Sequence, residues 1–274
     1  MSEEREQNRV FGAVAVSPSV APSEIPVEIS PLPSNGKVYP ETSSLHNVKS
    51  IEISAMTTKQ EDILTSRALI KKGTVITELI RSCLLDKSID PTDMLVGDRN
   101  AIMIAIRANG YGVDYEGKVT CGNADCGVEN EQIFDLSGLP IKRLKIDPVQ
   151  LGVNEFAFTL PHSQKNITFR FLTGKDEEEV IATAEQRKKN KLSVDANVTT
   201  KLLHSIISVD GDRSRDKIAA LVRNMLSKDS RALRAYITQH EPGIEMSQEV
   251  TCGVCGHVEE VSVPLGVNFF WPDN

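Results

Sequence analysis

The sequence of 274 residues contains only five cysteines, one tryptophan and no long apolar run. Its longest uninterrupted apolar stretch, Ala101 to Ile106, has six residues, whereas a membrane-spanning helix needs about 18. This shortage excludes a transmembrane protein. Five cysteines are also too few for a disulfide scaffold in a chain of this length. We therefore expect a protein of a reducing cytoplasm, where close cysteine pairs more often hold a metal ion.

Positive charge is scarce as well, because 31 Lys and Arg residues face 38 Asp and Glu residues, which gives a net charge of −7. No block of the sequence is rich in Lys or Arg, and such blocks are how a dedicated nucleic-acid binder gains affinity from phosphate contacts. Glu3, Glu4 and Glu6 stand where a secretory signal carries positive residues. The charge pattern makes nucleic-acid binding a minority interpretation and argues against secretion.

The first 40 residues hold six of the 13 prolines of the chain. Proline removes a main-chain donor and moves the residue before it out of the helical region, so we predict an extended arm over residues 1–31. Val10 and Phe11 are its candidate contacts with a partner. Two interpretations stay open: a disordered tail, or an arm that lies on a neighbouring subunit.

Apolar residues recur at helical spacing from Thr58 to Asn109, which predicts a helical domain over residues 32–112. Thr58 and Glu61 have the spacing of a capping box, and Asp98 is a candidate cap for the most apolar helix.

A second helical block is predicted over residues 174–240. It follows a hairpin in which Phe156 and Phe158 alternate on one strand and Ile167 and Phe169 on the next.

The tetrapeptide Val-Thr-Cys-Gly occurs twice, at residues 119–122 and 250–253. Each copy begins a cysteine pair, Cys121 with Cys126 and Cys252 with Cys255, and alternating strand-like segments flank both pairs. Two strand-turn-strand hairpins with cysteines at their tips are typical of the two knuckles of a zinc ribbon, because Zn²⁺ takes four soft ligands in a tetrahedron. We predict that these four cysteines bind one structural zinc ion.

Three other interpretations of the cysteine pairs are weaker. Local disulfides do not suit a reducing compartment and are strained at this spacing. Unrelated free thiols do not explain the repeated context. A redox-active pair needs a source for a lowered thiol pKa, such as a helix that begins at the second copy, and the pattern there is that of a strand.

No enzyme is predicted. Four cysteine ligands leave no open position at which a metal ion activates water. The sequence also lacks a nucleophile elbow, a zinc-protease motif and a phosphate-binding loop.

The aromatic residues Phe269, Phe270 and Trp271 lie within six residues of the end of the sequence. They either pack into the core of the chain itself or insert into a pocket of a partner, since such side chains dominate interface hot spots.

Together these patterns predict an α+β fold with a helical N-terminal core and a zinc-ribbon-like antiparallel β module that a helical insertion interrupts. The expected order is an extended arm (1–31), a helical domain (32–112), the first zinc-ribbon half (113–139), a hairpin and helical insertion (140–243), and the second zinc-ribbon half with the aromatic C-terminal tail (244–274).

A set of motifs resembles the baseplate proteins of T4-like contractile-tailed bacteriophages, of the hub-subunit or hub-assembly type. The set comprises Leu32-Pro33-Ser34-Asn35-Gly36-Lys37-Val38-Tyr39, the stretch from Met56 to Leu64, Gly97-Asp98-Arg99 with Arg107, Tyr111-Gly112, the cysteine pairs and the closing Phe269-Phe270-Trp271. The resemblance covers residues 32 to about 135 and 244–274.

This resemblance implies a non-enzymatic structural or assembly component of the virion tail baseplate, made in the cytoplasm of the infected bacterium. Its partners would be other baseplate or tail proteins, with several copies in a symmetric assembly and no membrane. The alternative is a zinc-ribbon regulatory or replication protein that contacts nucleic acid, although Glu249, Glu259 and Glu260 flank the second knuckle. A metal-dependent enzyme comes third and has no identifiable site.

Overall fold

A computed structural model of the chain describes residues 25–190, 197–263 and 267–270. Val10 and Phe11 in the predicted arm and Trp271 in the predicted tail lie outside these residues. Helices and short antiparallel strands share the described part of the chain, and the predicted α+β class is confirmed.

The described helices are α1 (Thr58–Thr65), α2 (Arg67–Lys72), α3 (Val75–Cys83), α4 (Val96–Tyr111), α5 (Gly174–Lys189), α6 (Asn197–Ser205), α7 (Arg215–Asn224) and α8 (Ser227–His240). The described strands are β1 (Val27–Pro31), β2 (Ser50–Ser54), β3 (Asp114–Thr120), β4 (Glu129–Asp135), β5 (Ile141–Lys142), β6 (Phe156–Thr159), β7 (Asn166–Phe169), β8 (Ile206–Val209), β9 (Gly243–Ile244), β10 (Ser247–Thr251) and β11 (Val258–Ser262). All of their pairings are antiparallel: β1 with β2, β3 with β4, β5 with β9, β10 with β11, and β6-β7-β8 in one sheet.

Helix α4 is the centre of the core, as its apolar sequence predicts. Ile102, Ile104 and Ile106 are fully buried. Near its start, Gly97 lies so close to the main chain at Pro242 that a Cβ atom would stand 1.8 Å from the Pro242 carbonyl oxygen. A glycine is required here because any side chain would push the segment before β9 off the helix.

Asp98 does not cap α4, contrary to the prediction, because the helix begins two residues earlier, at Val96. Its carboxylate is completely buried and accepts hydrogen bonds from Ser34 N at 2.9 Å, Ser34 Oγ at 2.6 Å and Tyr39 Oη at 2.6 Å. Tyr39 Oη in turn accepts a hydrogen bond from Leu95 N at 2.9 Å. The buried carboxylate thus fastens the loop before β2 to the start of α4.

Two other details differ from the sequence-based prediction. The capping interaction of α1 lies one residue earlier than predicted, since Gln60 Oε1 accepts hydrogen bonds from Thr57 N at 2.9 Å and Thr57 Oγ1 at 2.6 Å. The second helical block is not helical throughout, because β8 lies within it and pairs with β7 of the predicted hairpin. The hairpin itself is confirmed, with Phe156 opposite Phe169.

The ends of the region predicted as an insertion (140–243) meet in space, since Ile141 of β5 pairs with Ile244 of β9. At the other end of the chain, residues 27–31 of the predicted arm form β1, with Val27 opposite Ser54. Among the described helices, none is both long and apolar enough to cross a membrane.

Candidate metal centre

Two hairpins carry the four cysteines of the predicted zinc site. In the first, β3 and β4 pair from Asp114 opposite Asp135 to Thr120 opposite Glu129. In the second, β10 and β11 pair from Ser247 opposite Ser262 to Thr251 opposite Val258. Each cysteine pair therefore lies in the turn that closes a ladder, as the alternation and the repeated tetrapeptide predict.

The two turns use the same main-chain bonds. Cys121 N donates to Val128 O at 3.0 Å, and Cys252 N donates to His257 O at 2.8 Å. Each second cysteine is followed by a glycine at positive φ, +56° at Gly127 and +69° at Gly256. This left-handed conformation favours glycine and lets the chain turn back directly after the sulfur.

The tips of the hairpins meet, and the four Sγ atoms of Cys121, Cys126, Cys252 and Cys255 all lie within 4.8 Å of one another. Two of the approaches cross between the hairpins, at 3.6 Å from Cys121 to Cys255 and 3.9 Å from Cys126 to Cys252. A tetrahedral zinc ion with Zn–S bonds of about 2.3 Å separates its sulfurs by about 3.8 Å. The spacing fits such an ion, whereas a disulfide needs about 2.05 Å between its sulfurs.

The electrostatics of the four thiols differ from one position to the next. Main-chain N–H groups of Cys255 and Val254 donate to Cys252 and lower its pKa to about 6. The N–H of Asn123 acts in the same direction on Cys121, but burial and the neighbouring thiols outweigh it and raise the pKa of Cys121 to about 12. Sulfurs this close do not all ionise unless a cation compensates them, which is what a divalent metal ion supplies.

The fifth cysteine, Cys83, is fully buried in α3 and does not belong to this group. Among the described residues, the four hairpin cysteines are the one set of three or more His, Cys, Asp or Glu side chains that converge as metal ligands do. Four sulfurs complete a tetrahedral shell, so the arrangement suits a structural metal ion and leaves no position for an activated water molecule.

Polar bonds between the hairpins were not predicted from the sequence. Asn130 Nδ2 on β4 lies 3.4 Å from Cys252 Sγ, Gln132 Nε2 donates to Thr251 O at 3.3 Å, and Gly122 N donates to Glu259 Oε1 at 2.7 Å. Each contact joins residues more than a hundred positions apart. No local pattern indicates which polar residue of an alternating strand meets the other hairpin.

The aromatic C-terminal segment packs inside the chain where it is described. Phe269 and Phe270 are 1% and 0% exposed, and the Phe269 ring lies 5.2 Å from that of Tyr115 on β3. Of the two interpretations of this tail, the structure gives the internal one for both phenylalanines, so neither ring is free to enter a partner's pocket. Trp271 lies outside the described residues.

Arg107 of α4 connects the helical core to the first hairpin and to the C-terminal segment. Its guanidinium group is almost fully buried and donates to three carbonyl oxygens: Nε to Phe269 at 3.2 Å, Nη1 to Gly112 at 2.8 Å and Nη2 to Asp114 at 3.2 Å. This side chain therefore holds the start of β3 and the aromatic segment against one helix.

Comparison with known proteins gives one finding. A family model described as T4 bacteriophage base plate protein matches residues 27–271, which is most of the chain and includes both hairpins. No curated protein and no solved structure matches the chain.

Proposed function

The chain belongs to the T4 bacteriophage base plate protein family, and we propose that within the base plate it joins neighbouring subunits through a zinc-stabilised β module and its terminal segments. Family membership makes it a structural protein of the phage tail, where its partners are other tail or base plate proteins. The convergence of four cysteines from two hairpins is the observation that carries the proposal.

We propose one zinc ion per chain, held by Cys121, Cys126, Cys252 and Cys255. Three features support this: the spacing of the sulfurs, the turns with the same bonds in both hairpins, and main-chain N–H groups that stabilise a thiolate at Cys252. The ion would lock the two tips together and give neighbouring subunits a rigid face. A scaffold of this kind has no catalytic role.

The zinc content of the purified chain tests this directly by native mass spectrometry. We expect one zinc ion per chain in the wild type and none in the double variant Cys252→Ser, Cys255→Ser. Cys83→Ala is the matched control, since it removes a buried cysteine that lies outside the cluster. A wild-type chain without zinc, or a double variant that keeps it, contradicts the proposal.

We also propose that the N-terminal segment contacts a neighbouring subunit. Val10 and Phe11 are its apolar candidates, and β1 continues the segment within the described residues. Ile25, Val27 and Ile29 recur at every second position and each remains about half exposed, which places a row of apolar side chains on one face of the strand.

The main chain of β1 supports the same surface. Leu32 N donates to Lys49 O and Ala55 N donates to Pro26 O. Since hydrogen-bonded pairs alternate along an antiparallel ladder, the N–H and C=O groups of Val27 and Ile29 point away from β2. Within the described residues no strand pairs with that edge, so a partner can use both the apolar row and the main-chain groups.

Incorporation into assembled tails tests this surface. We expect the double variant Val27→Ser, Ile29→Ser to fold and to be recovered at much lower copy number in purified tails or assembly intermediates. Leu151→Ser, Val149→Ser is the control, because these two exposed apolar residues lie elsewhere. Equal incorporation of both double variants would contradict the proposal.

A map of the assembled tail would show whether several copies are symmetrically arranged and whether Trp271 contacts a partner.

Nucleic-acid binding is the less favoured function. Exposed carboxylates occupy the outer faces of both hairpins, at Glu116, Glu129, Glu131, Glu249 and Glu260, and they repel phosphates. A filter-binding measurement should show no affinity that weakens steeply with salt.

A further inference from the structure

Asn130 lies on the first hairpin but reaches a cysteine of the second. Its Nδ2 atom is 3.4 Å from Cys252 Sγ and 2.9 Å from Val128 O. A carbonyl oxygen only accepts hydrogen bonds, so the contact with Val128 identifies the Nδ2 end of the carboxamide. The Oδ1 atom lies 3.7 Å from the same sulfur, where it can accept a hydrogen bond from the neutral thiol but not from a thiolate, which is itself only an acceptor. One N–H of the side chain then points to Val128 and the other is available for the sulfur.

We propose that Asn130 is a positioning residue for the metal centre, which donates a hydrogen bond to the Cys252 thiolate and thereby raises the affinity for the ion. This inference rests on the proposed zinc site. Four thiolates around a divalent cation carry a net charge of 2 − 4 = −2, and a donor to one sulfur disperses part of that excess. Hydrogen bonds with one ionised partner are stronger than neutral ones, and groups that orient metal ligands typically contribute 10- to 100-fold in metal affinity.

Gln132 provides a control within the same strand. It lies two residues after Asn130, so both side chains lie on one face of β4, and both are carboxamides that reach the second hairpin. Gln132 Nε2 donates to Thr251 O at 3.3 Å. The two residues thus differ in the group they contact, a sulfur for Asn130 and a carbonyl oxygen for Gln132.

Zinc affinity of the full chain, measured by competition with a chromophoric chelator, tests the inference. We expect Asn130→Ala to bind zinc about tenfold more weakly or worse, and Gln132→Ala to bind it as tightly as the wild type. Asn130→Asp keeps the shape of the side chain but offers no N–H and adds a negative charge beside the sulfurs. Asn130→Asp should weaken zinc binding at least as much as Asn130→Ala. If the alanine variant does not fold, the affinity of Asn130→Asp tests the role of Asn130 instead.

Cobalt substitution gives a readout that a purely structural role would not move. A hydrogen bond to a thiolate stabilises its lone pairs, so the loss of that bond should shift the sulfur-to-Co²⁺ charge-transfer band to longer wavelength in the Asn130 variants and leave it unchanged in Gln132→Ala. Equal zinc affinities of the two alanine variants, or an unshifted band in the Asn130 variants, would overturn the inference. A wild-type chain that binds no zinc would instead overturn the zinc site itself.

Discussion

Helix α4 and the tips of the two cysteine hairpins stand at opposite ends of the range of burial in this molecule. Ile102 and Ile104 of the helix are fully buried, whereas Val254 in the second tip is 69% exposed and Val258 beside it is 49% exposed. Removal of apolar surface from water stabilises the first region. The tips have little such surface to bury, and the converging cysteines are what can hold them together.

The base of each hairpin belongs to the buried region. Tyr115 and Phe134 of the first hairpin and Val250 of the second are buried in the common core. Each hairpin therefore passes from a buried base to an exposed tip within one short ladder. The metal ion that we propose would act where apolar packing ends, and four changes test this difference between the two regions.

Asp98→Ala should have the largest effect, since it acts on the buried region. The substitution leaves Ser34 N, Ser34 Oγ and Tyr39 Oη without their acceptor in a site closed to water. Each of the three groups left without an acceptor costs about 1–3 kcal/mol, so we expect the free energy of unfolding to fall by about 5 kcal/mol, as measured by urea denaturation. The exposed Asp93 is the control, and Asp93→Ala should change stability by less than about 0.5 kcal/mol. A mild effect of Asp98→Ala would mean that apolar packing alone holds the loop to α4.

Metal removal should have the next largest effect, and a local one. A ligand present at about 1,000 times its Kd contributes about 4 kcal/mol, which in a chain of this size corresponds to a decrease in Tm of about 10 °C on chelation. On chelation, the amides of residues 119–130 and 250–259 should lose their protection from hydrogen exchange, while the amides of α4 stay protected. Loss of protection across α4 as well would break the distinction between the two regions.

Arg107→Met should have a smaller effect, because this side chain joins α4 to the base of the first hairpin and does not reach the tips. Methionine replaces the aliphatic stem but leaves the carbonyl groups of Gly112, Asp114 and Phe269 without their donor. We expect a loss of about 2 kcal/mol in the free energy of unfolding, together with weaker protection of β3 from hydrogen exchange. A loss of stability without any change at β3 would show that the guanidinium group serves the helix alone.

The pH dependence of Asp98 should be the smallest effect. Burial raises its pKa above the ordinary value of 3.8, and hydrogen bonds from Ser34 and Tyr39 oppose the shift only in part. At a pH between the pKa of Asp98 in the unfolded chain and its higher pKa in the folded chain, the folded chain holds a proton that the unfolded chain has released. The contribution of this residue to stability is therefore present below pH 3.8 and falls as the pH rises toward the folded pKa.

Asp98→Asn isolates this contribution. As the pH rises from about 4 upward, the wild type should lose stability relative to the variant. The loss in its free energy of unfolding should be about 1.4 kcal/mol for each unit by which the pKa of Asp98 in the folded chain exceeds that in the unfolded chain. A difference that does not change with pH would show that the folded and unfolded pKa values are equal.

The sequence predicted the arrangement of the cysteine hairpins better than it predicted the contacts of the core. Each hairpin forms between segments that are close in the sequence, so local patterns predict it. Alternation defines the strands, and Gly127 and Gly256 after the second cysteines define the turns. The repeated Val-Thr-Cys-Gly then indicated that the tips are alike, and their convergence is confirmed.

Contacts between residues far apart in the sequence could not be predicted from local sequence patterns. Asp98 has the residue type of a helix cap, but the Ser34 groups that bind its carboxylate lie 64 positions earlier. Strand β8 is a short apolar run inside a helical block, and periodicity alone does not separate such a run from a buried helical turn. Its pairing with β7 decides the structure there.

The separation of the two cysteine pairs along the chain sets an order of events during synthesis. The four sulfurs converge in the fold although 125 residues lie between Cys126 and Cys252. On the ribosome, the first hairpin emerges with two of the ligands long before the others are translated, and most of the helical block must be made in between. The four-cysteine cluster is complete only after residue 255 has left the ribosome, so a nascent chain arrested earlier cannot form the metal site that we propose.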